Sequence, residues 1–282
     1  MSAGRRLRDL LDRERLVVAP GAYDALTARL VEEAGFGAVY MTGAGTAASL
    51  GYPDYGLVTM TEMVENAARL ARAVQVPVIA DCDTGYGNEL NAIRTVEEFT
   101  TRGVAGVHVE DQVFPKRCGH LEEKEVIPLE DFVAKVRAMS RHRPDPDLFL
   151  IARTDARAPL GLPAAVERAN AALAAGADCA FVEAPQTWQE VEAIPSLVRG
   201  PCLFNLVPGG RSPEASLADL ERFGYRVVIL PTALIASVVL GGREALRRLR
   251  TEGEPAPSAT LPPRELFRLV GSEAWDRARA GG

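Results

Sequence analysis

Eight short apolar runs constrain this chain more than any other feature. They are LVVAP from Leu16, AVYMTG from Ala38, VPVIADCD from Val76, AGVHVED from Ala105, LFLIART from Leu148, DCAFVEA from Asp178, PCLFNLV from Pro201 and RVVILP from Arg226. Amphipathic segments lie between them, such as TEMVENAARLARAV from Thr61 and LPAAVERANAALAAG from Leu162, and TALIASVVLGGREALRRLR from Thr232 follows the last. A run that is apolar throughout fits a strand buried on both faces of a parallel sheet. Eight strands alternating with helices in 282 residues fit a (β/α)8 TIM-type barrel. A doubly wound open sheet is the runner-up, but no strand here leads into a GxGxxG loop.

The expected organisation is one α/β barrel domain over residues 1–282. A Pro-rich linker at 252–263 and an additional C-terminal helix at 264–280 fall within it. That helix carries Leu266, Leu269, Val270 and Trp275 as apolar positions and follows a barrel that is already complete. It is expected to pack on its own barrel or on a neighbour's.

The net charge of −6 makes a general nucleic-acid-binding surface a poor fit. Cys82, Cys118, Cys179 and Cys202 lie far apart with no CxxC pair, as expected of a reduced intracellular protein without disulfides or a zinc site. No stretch approaches the roughly 20 apolar residues that span a bilayer. The opening MSAGRRLRDLLDRERL has no signal-peptide core. The cytoplasm is the expected compartment, with no membrane partner.

The C-terminal ends of the runs carry polar residues in unusual number: Thr42 and Gly43, Asp81 and Asp83, Glu110 and Asp111, Arg153 to Asp155, Glu183, and Asn205. A single acid after a strand is commonly a helix cap. Six successive strands ending this way point instead to a catalytic mouth, where active sites of this fold lie.

Asp81 and Asp83 are two apart at a strand end, and Glu110 joins them from the next strand. Such an all-oxygen set suits a hard divalent ion, Mg2+ above all. Asp54, in the GYPDYG loop, is a further acid within reach of a metal-bound water. The plainer reading of Asp-x-Asp is a capped turn. Cys118 lies outside the apolar runs, in the long polar loop from Glu110 to Glu125, with Lys116, Arg117 and His120 around it. Positive neighbours make a thiol a usable proton donor or acceptor, although an incidental exposed thiol has the same composition. Arg153 suits either bidentate carboxylate recognition or an ion pair inside the barrel. Asn205 and Glu183 are open between substrate contact and strand-end support. The Thr42-Gly43-Ala44 turn offers backbone N–H groups to an anion.

KRCGH (Lys116 to His120), preceded by VHVEDQ, with DCDTGYGN upstream and IARTDA downstream, closely resembles the isocitrate lyase/phosphoenolpyruvate mutase superfamily. The match runs from PGAYDAL near Pro20 to PTALIAS near Pro231, and KRCGH marks the carbon–carbon lyase branch. The resemblance implies a barrel assembled as a homotetramer, a dimer of dimers whose C-terminal helices are exchanged. It implies Mg2+, with Mn2+ a possible substitute, on Asp81 and Asp83, with Asp54 and Glu110 acting largely through waters. It further implies a small carboxylate substrate, gripped by Thr42-Gly43-Ala44 and Arg153 beside Tyr40. Glu183 and Asn205 would hold the other half, and Cys118 would exchange a proton with the departing fragment. Tyr40 and a metal-linked water are the candidate bases, and His120 is a further catalytic candidate.

The chain lacks the inserted helices of the longer isocitrate lyases. It also has NLVPGG where methylisocitrate lyases usually carry an NxTEFG-like stretch. The expected activity is cleavage of a 2-hydroxy di- or tricarboxylate, of 2-methylisocitrate or alkyl-malate type, into a 2-oxo acid and a second carboxylate. The rivals are a carboxyphosphonoenolpyruvate phosphonomutase and a binding barrel without catalysis.

Overall fold

The computed structural model describes residues 1–119, 124–256 and 260–281. Eight parallel strands close a barrel in chain order. They are β1 (Val17–Ala22), β2 (Val39–Met41), β3 (Val78–Asp81), β4 (Gly106–Glu110), β5 (Phe149–Thr154), β6 (Cys179–Val182), β7 (Cys202–Asn205) and β8 (Val227–Leu230). β8 pairs back onto β1, with Val17 opposite Val227, so no sheet edge is left exposed. Each strand begins inside one of the eight apolar runs, and only β1 extends past its run, to Ala22.

Side chains alternate strictly across the sheet. Tyr40, Ile79, Ile151, Phe181, Leu203 and Ile229 pack into one cluster inside the barrel. Their chain neighbours Val39, Val78, Ala80, Leu150 and Ala152 pack outward against the helical layer. The helix Ala3–Arg13 inserts Leu7 and Leu11 into the same inner cluster and so plugs the barrel's lower end. Stepping two residues on from this inner set reaches Thr42, Asp81, Arg153, Glu183 and Asn205. On β4 the same step leads from His108, which packs against the rings of Tyr40 and Phe181, to Glu110. The parity that fills the core therefore delivers polar side chains to the upper mouth.

The C-terminal segment differs from the expected single helix at 264–280. After the helix Ala233–Glu252 come two short helices, Pro263–Leu269 and Ser272–Arg279. Between them Gly271 adopts φ 88°, a left-handed conformation that ends one helix and redirects the next. No helix is long and apolar enough to cross a membrane among the described residues.

Candidate active site

Asp81, at the end of β3, is the hub of the mouth. Its Oδ2 accepts from the Gly43 N–H (3.2 Å) and from the Tyr40 hydroxyl (3.3 Å), and its Oδ1 accepts from the Asp83 N–H (2.9 Å). His108 Nε2 lies 3.4 Å from Oδ1 and 2.7 Å from the Tyr40 hydroxyl. Gly43 is required by contact, because a Cβ there would lie 2.4 Å from Asp81 Oδ2. Burial raises the Asp81 pKa, but His108, Lys116 and Arg153 overcome this and hold the carboxyl well below its usual range. Burial, and then Asp81, push the Tyr40 phenol well above its ordinary value. The Tyr40 hydroxyl is thus held between Asp81 and His108.

The Thr42-Gly43-Ala44 turn opens the helix Gly43–Ser49, with the Thr42 hydroxyl accepting from the Gly45 N–H. The Gly43 N–H points at Asp81, so a carboxylate of the protein itself is its partner.

Lys116 is buried among acids. Its Nζ lies 2.7 Å from Asp83 Oδ1 and also contacts Asp54 Oδ1. It was expected to electrify the Cys118 thiol, yet its ammonium is turned to these two carboxylates. Glu110 is fully buried, and neither of its carboxylate oxygens has a hydrogen-bond partner among the described residues. Its nearest cation is Arg153 Nε, 3.3 Å from Oε2. Burial raises Glu110 well above the ordinary carboxylate value and pushes Asp83 up to about 6. On Lys116 burial acts the other way, but the surrounding acids dominate and raise it.

Four carboxylates thus share one ammonium and part of one guanidinium. A further cation of charge two would satisfy the Glu110 oxygens and relieve the crowding at Asp83. The all-oxygen donor set suits a divalent metal. No three or more His, Cys, Asp or Glu side chains converge as direct ligands among the described residues. Direct coordination by one or two carboxylates completed by water fits that arrangement. The space beside Gly43, Asp54 and Asp83 is only about 10 Å³. A wider cleft of about 350 Å³ lies at the opposite end of the barrel between Arg8, Asp178 and Arg226. Size alone does not mark the site, because there Arg8 and Arg226 are taken up by Asp178 and by backbone carbonyls.

Across the mouth, Arg153 presents its fork to Asp155, with Nε 2.9 Å from Oδ2 and Nη2 3.1 Å from Oδ1. Glu183 Oε1 lies 3.7 Å from Nη2, and the Asn205 amide donates to Glu183 at 3.3 Å. The Phe181 ring lies under the guanidinium, 5.2 Å from its carbon. The KRCGH loop meets this side of the site, since a Cβ on Gly119 would fall 2.1 Å from Glu183 Oε1 and 2.3 Å from Arg153 Nη2. Cys118, next in the chain, is partly exposed, whereas Cys82, Cys179 and Cys202 are buried. Gln112 holds the loop by its backbone, accepting from the Arg117 N–H (3.0 Å) and donating to the Arg117 carbonyl (2.8 Å). His120 lies outside the described residues.

The structure therefore gathers Tyr40, Asp54, Asp81, Asp83 and Glu110 on one side and Arg153, Glu183 and Asn205 on the other. It adds His108 and Lys124, to which sequence reasoning gave no role in the site. It also gives definite partners to Asp111, Lys116 and Asp155, which that reasoning had placed only at the mouth or beside Cys118. One signal pointed to two of them. Only three lysines occur among 32 basic residues, and all three, Lys116, Lys124 and Lys135, are buried. Lysine is almost never buried unless paired.

The phosphoenolpyruvate phosphomutase family model matches residues 7–250. The 2,3-dimethylmalate lyase of Eubacterium barkeri is 48% identical over 236 residues, which cover 83% of this chain and 82% of that enzyme. The 2-methylisocitrate lyase of Halalkalibacterium halodurans is 39% identical over 248 residues, covering 88% of this chain and 82% of its own. A phosphonopyruvate hydrolase solved with oxalate and Mg++ superposes with a TM-score of 0.90 at 32% identity, covering 99% of each chain. With the barrel, the ring of carboxylates and the KRCGH loop, these likenesses show that the chain belongs to the phosphoenolpyruvate mutase/isocitrate lyase superfamily and is a carbon–carbon lyase.

Proposed function

We propose that this lyase cleaves an alkyl-substituted malate, or the related 2-methylisocitrate, into pyruvate or another 2-oxo acid and a propionate- or succinate-like carboxylate. The observation that carries the reading is the division of the mouth. An acid-rich half around Asp81, Asp83 and Glu110 faces a half built from Arg153, Glu183, Asn205 and the Cys118–Gly119 peptide. A substrate with a 2-hydroxy acid at one end and a second carboxylate at the other matches that division. The relatives named for dimethylmalate and methylisocitrate support the substrate class.

Mg2+, with Mn2+ as a substitute, would be held by Asp81 and Asp83 with support from Asp54 and Glu110, and would supply Lewis-acid stabilisation of a developing enolate. Arg153 holds a substrate carboxylate and stabilises negative charge as a base in the acid-rich half takes the 2-hydroxyl proton and the C2–C3 bond breaks, its electron pair passing to C3. Glu183 and Asn205 orient the departing half. Cys118 donates a proton to the carbon left carrying the electron pair. Phe181 beneath Arg153 keeps that guanidinium dry, which strengthens its grip.

We further propose that the chain works in the cytoplasm as a homotetramer whose C-terminal helices are exchanged between paired subunits. The exposed Trp275 and the sparse contacts of that segment with its own barrel support the exchange.

The test is a screen of 2-methylisocitrate, substituted malates and carboxyphosphonoenolpyruvate for 2-oxo acid or phosphonate products, with and without Mg2+. Metal-dependent pyruvate release from a substituted malate or methylisocitrate is expected. Turnover of carboxyphosphonoenolpyruvate alone would replace this reading with the phosphonomutase one.

A further inference from the structure

We infer that Lys124 and Asp155 form a positioning pair that fixes the Cys118–Gly119 peptide against the carboxylate-binding half of the site. The inference rests on the lyase reading above, which gives Cys118 its proton to deliver. Lys124 Nζ is buried and donates to two acceptors, the Gly119 carbonyl at 2.5 Å and Asp155 Oδ1 at 2.8 Å. Asp155 is itself fully buried and receives the two-pronged fork of Arg153. Its backbone N–H donates to Asp111 Oδ1 at 2.8 Å. Asp111 is anchored in turn by the Thr154 hydroxyl (2.6 Å) and by Arg168 (3.0 Å).

A continuous chain of charged hydrogen bonds therefore runs from the rigid end of β5 through Asp155 and Lys124 to the Gly119 carbonyl, one residue from the thiol. A lysine taken out of water is tolerated only where such partners replace its hydration. Both partners of Lys124 belong to the site and neither belongs to the core. The Gly119 Cα also packs so near Glu183 and Arg153 that no side chain fits between them. The charges that hold a substrate carboxylate thus also set where the Cys118 peptide lies. Misplacement of a reacting group by about 1 Å can lower a rate by about 10²-fold, so the pair acts on catalysis without touching substrate.

The test uses Lys124→Met in the full-length enzyme, with Lys124→Gln as a second variant that keeps a polar head but removes the ammonium. Both are expected to lose about 10²-fold in kcat while binding Mg2+ and oxalate within about threefold of wild type. In both, alkylation of Cys118 in the presence of Mg2+ and oxalate is expected to be at least about tenfold faster, read by mass spectrometry. A wild-type kcat or an unchanged Cys118 alkylation rate in Lys124→Met would overturn the inference. Loss of Mg2+ and oxalate binding in parallel with kcat would also overturn it, since the pair would then support the whole mouth. If Lys124→Met does not fold, Lys124→Gln decides by the same readouts. If Cys118→Ser turns over normally, the proton-delivery reading fails, yet the alkylation comparison still decides the positioning.

Discussion

Lys116 Nζ lies 2.7 Å from Asp83 Oδ1 while also touching Asp54, so one buried ammonium is the counter-charge of two carboxylates from different loops. Removing it leaves those acids buried and mutually repelling. Breaking a buried pair from one side costs about 3–5 kcal/mol. Lys116→Met is therefore expected to lower metal-free stability by that order, and Mg2+ is expected to recover part of the loss. The thermal shift produced by Mg2+ should be larger in the variant than in wild type. Equal shifts would show that the ammonium and the metal do not answer the same charges.

Asp81 supports the fold of the mouth as well as the candidate metal site, because it accepts from the backbone N–H groups of Gly43 and Asp83. A buried donor left without an acceptor costs about 1–3 kcal/mol. Asp81→Ala is predicted to lose Mg2+ binding and turnover and also to unfold at distinctly lower urea. Asp83→Asn should lose metal affinity with a smaller stability change. Normal calorimetric Mg2+ binding by Asp81→Ala would remove it from the metal site.

Burial pushes the Asp155 pKa up, but Arg153 and then Lys124 overcome this and hold it well below the usual carboxylate range. A native value below the unfolded one, about 3.9, gives stability that is fully present above that value. It is lost as pH falls through the native one. Asp155→Asn removes this contribution. The stability gap between wild type and variant is thus expected to be flat from about pH 5 to about pH 8 and to shrink below about pH 4. Urea titrations across that range measure it, and a gap already narrowing near neutrality would assign the linkage to another group.

The barrel was legible because strands buried on both faces read as unbroken apolar runs, and all eight did. Asp81, Glu110, Arg153, Glu183 and Asn205 were legible for a related reason, since each continues an inward-facing parity at a strand's end. What the pattern could not show is contact across loops. Lys116 reaches Asp54, 62 residues away, and Lys124 reaches Asp155, 31 residues away, and no local periodicity encodes either pairing. The break at Gly271 was hidden differently. Apolar positions recur at helical spacing on both sides of it, so periodicity carried through a residue whose φ of 88° ends the helix.

Cys118→Ser tests the proton donor directly. A hydroxyl keeps the shape of the thiol but gives up its proton far less readily. Acid–base groups typically contribute about 10²–10⁴-fold, so turnover of a substituted malate should fall by about 10²-fold or more while oxalate and Mg2+ bind normally. Near-normal cleavage would take Cys118 out of the mechanism, and lost oxalate binding would make its part structural.

The last expectation concerns the segment beyond the barrel. The helix Ala233–Glu252 buries no residue in the single chain, and Val238, Leu240, Leu246 and Leu249 are all more than half exposed, at 54%, 65%, 68% and 53%. Beyond it Phe267 is 56% and Trp275 77% exposed. The two terminal helices are tied to their own barrel by slight contacts, Arg29 to the Leu269 carbonyl at 3.3 Å and Arg268 to Glu33 at 3.2 Å. Surface ion pairs of that kind contribute about 0–1 kcal/mol. So much exposed apolar surface on adjacent helices calls for a covering surface, and in the proposed exchanged-helix tetramer that surface would be a second copy of the chain. Truncation just before Pro262 should then lower the assembled mass in light scattering and depress the thermal midpoint in a concentration-dependent way. A truncated protein of unchanged assembled mass and stability would show that these helices take no part in assembly.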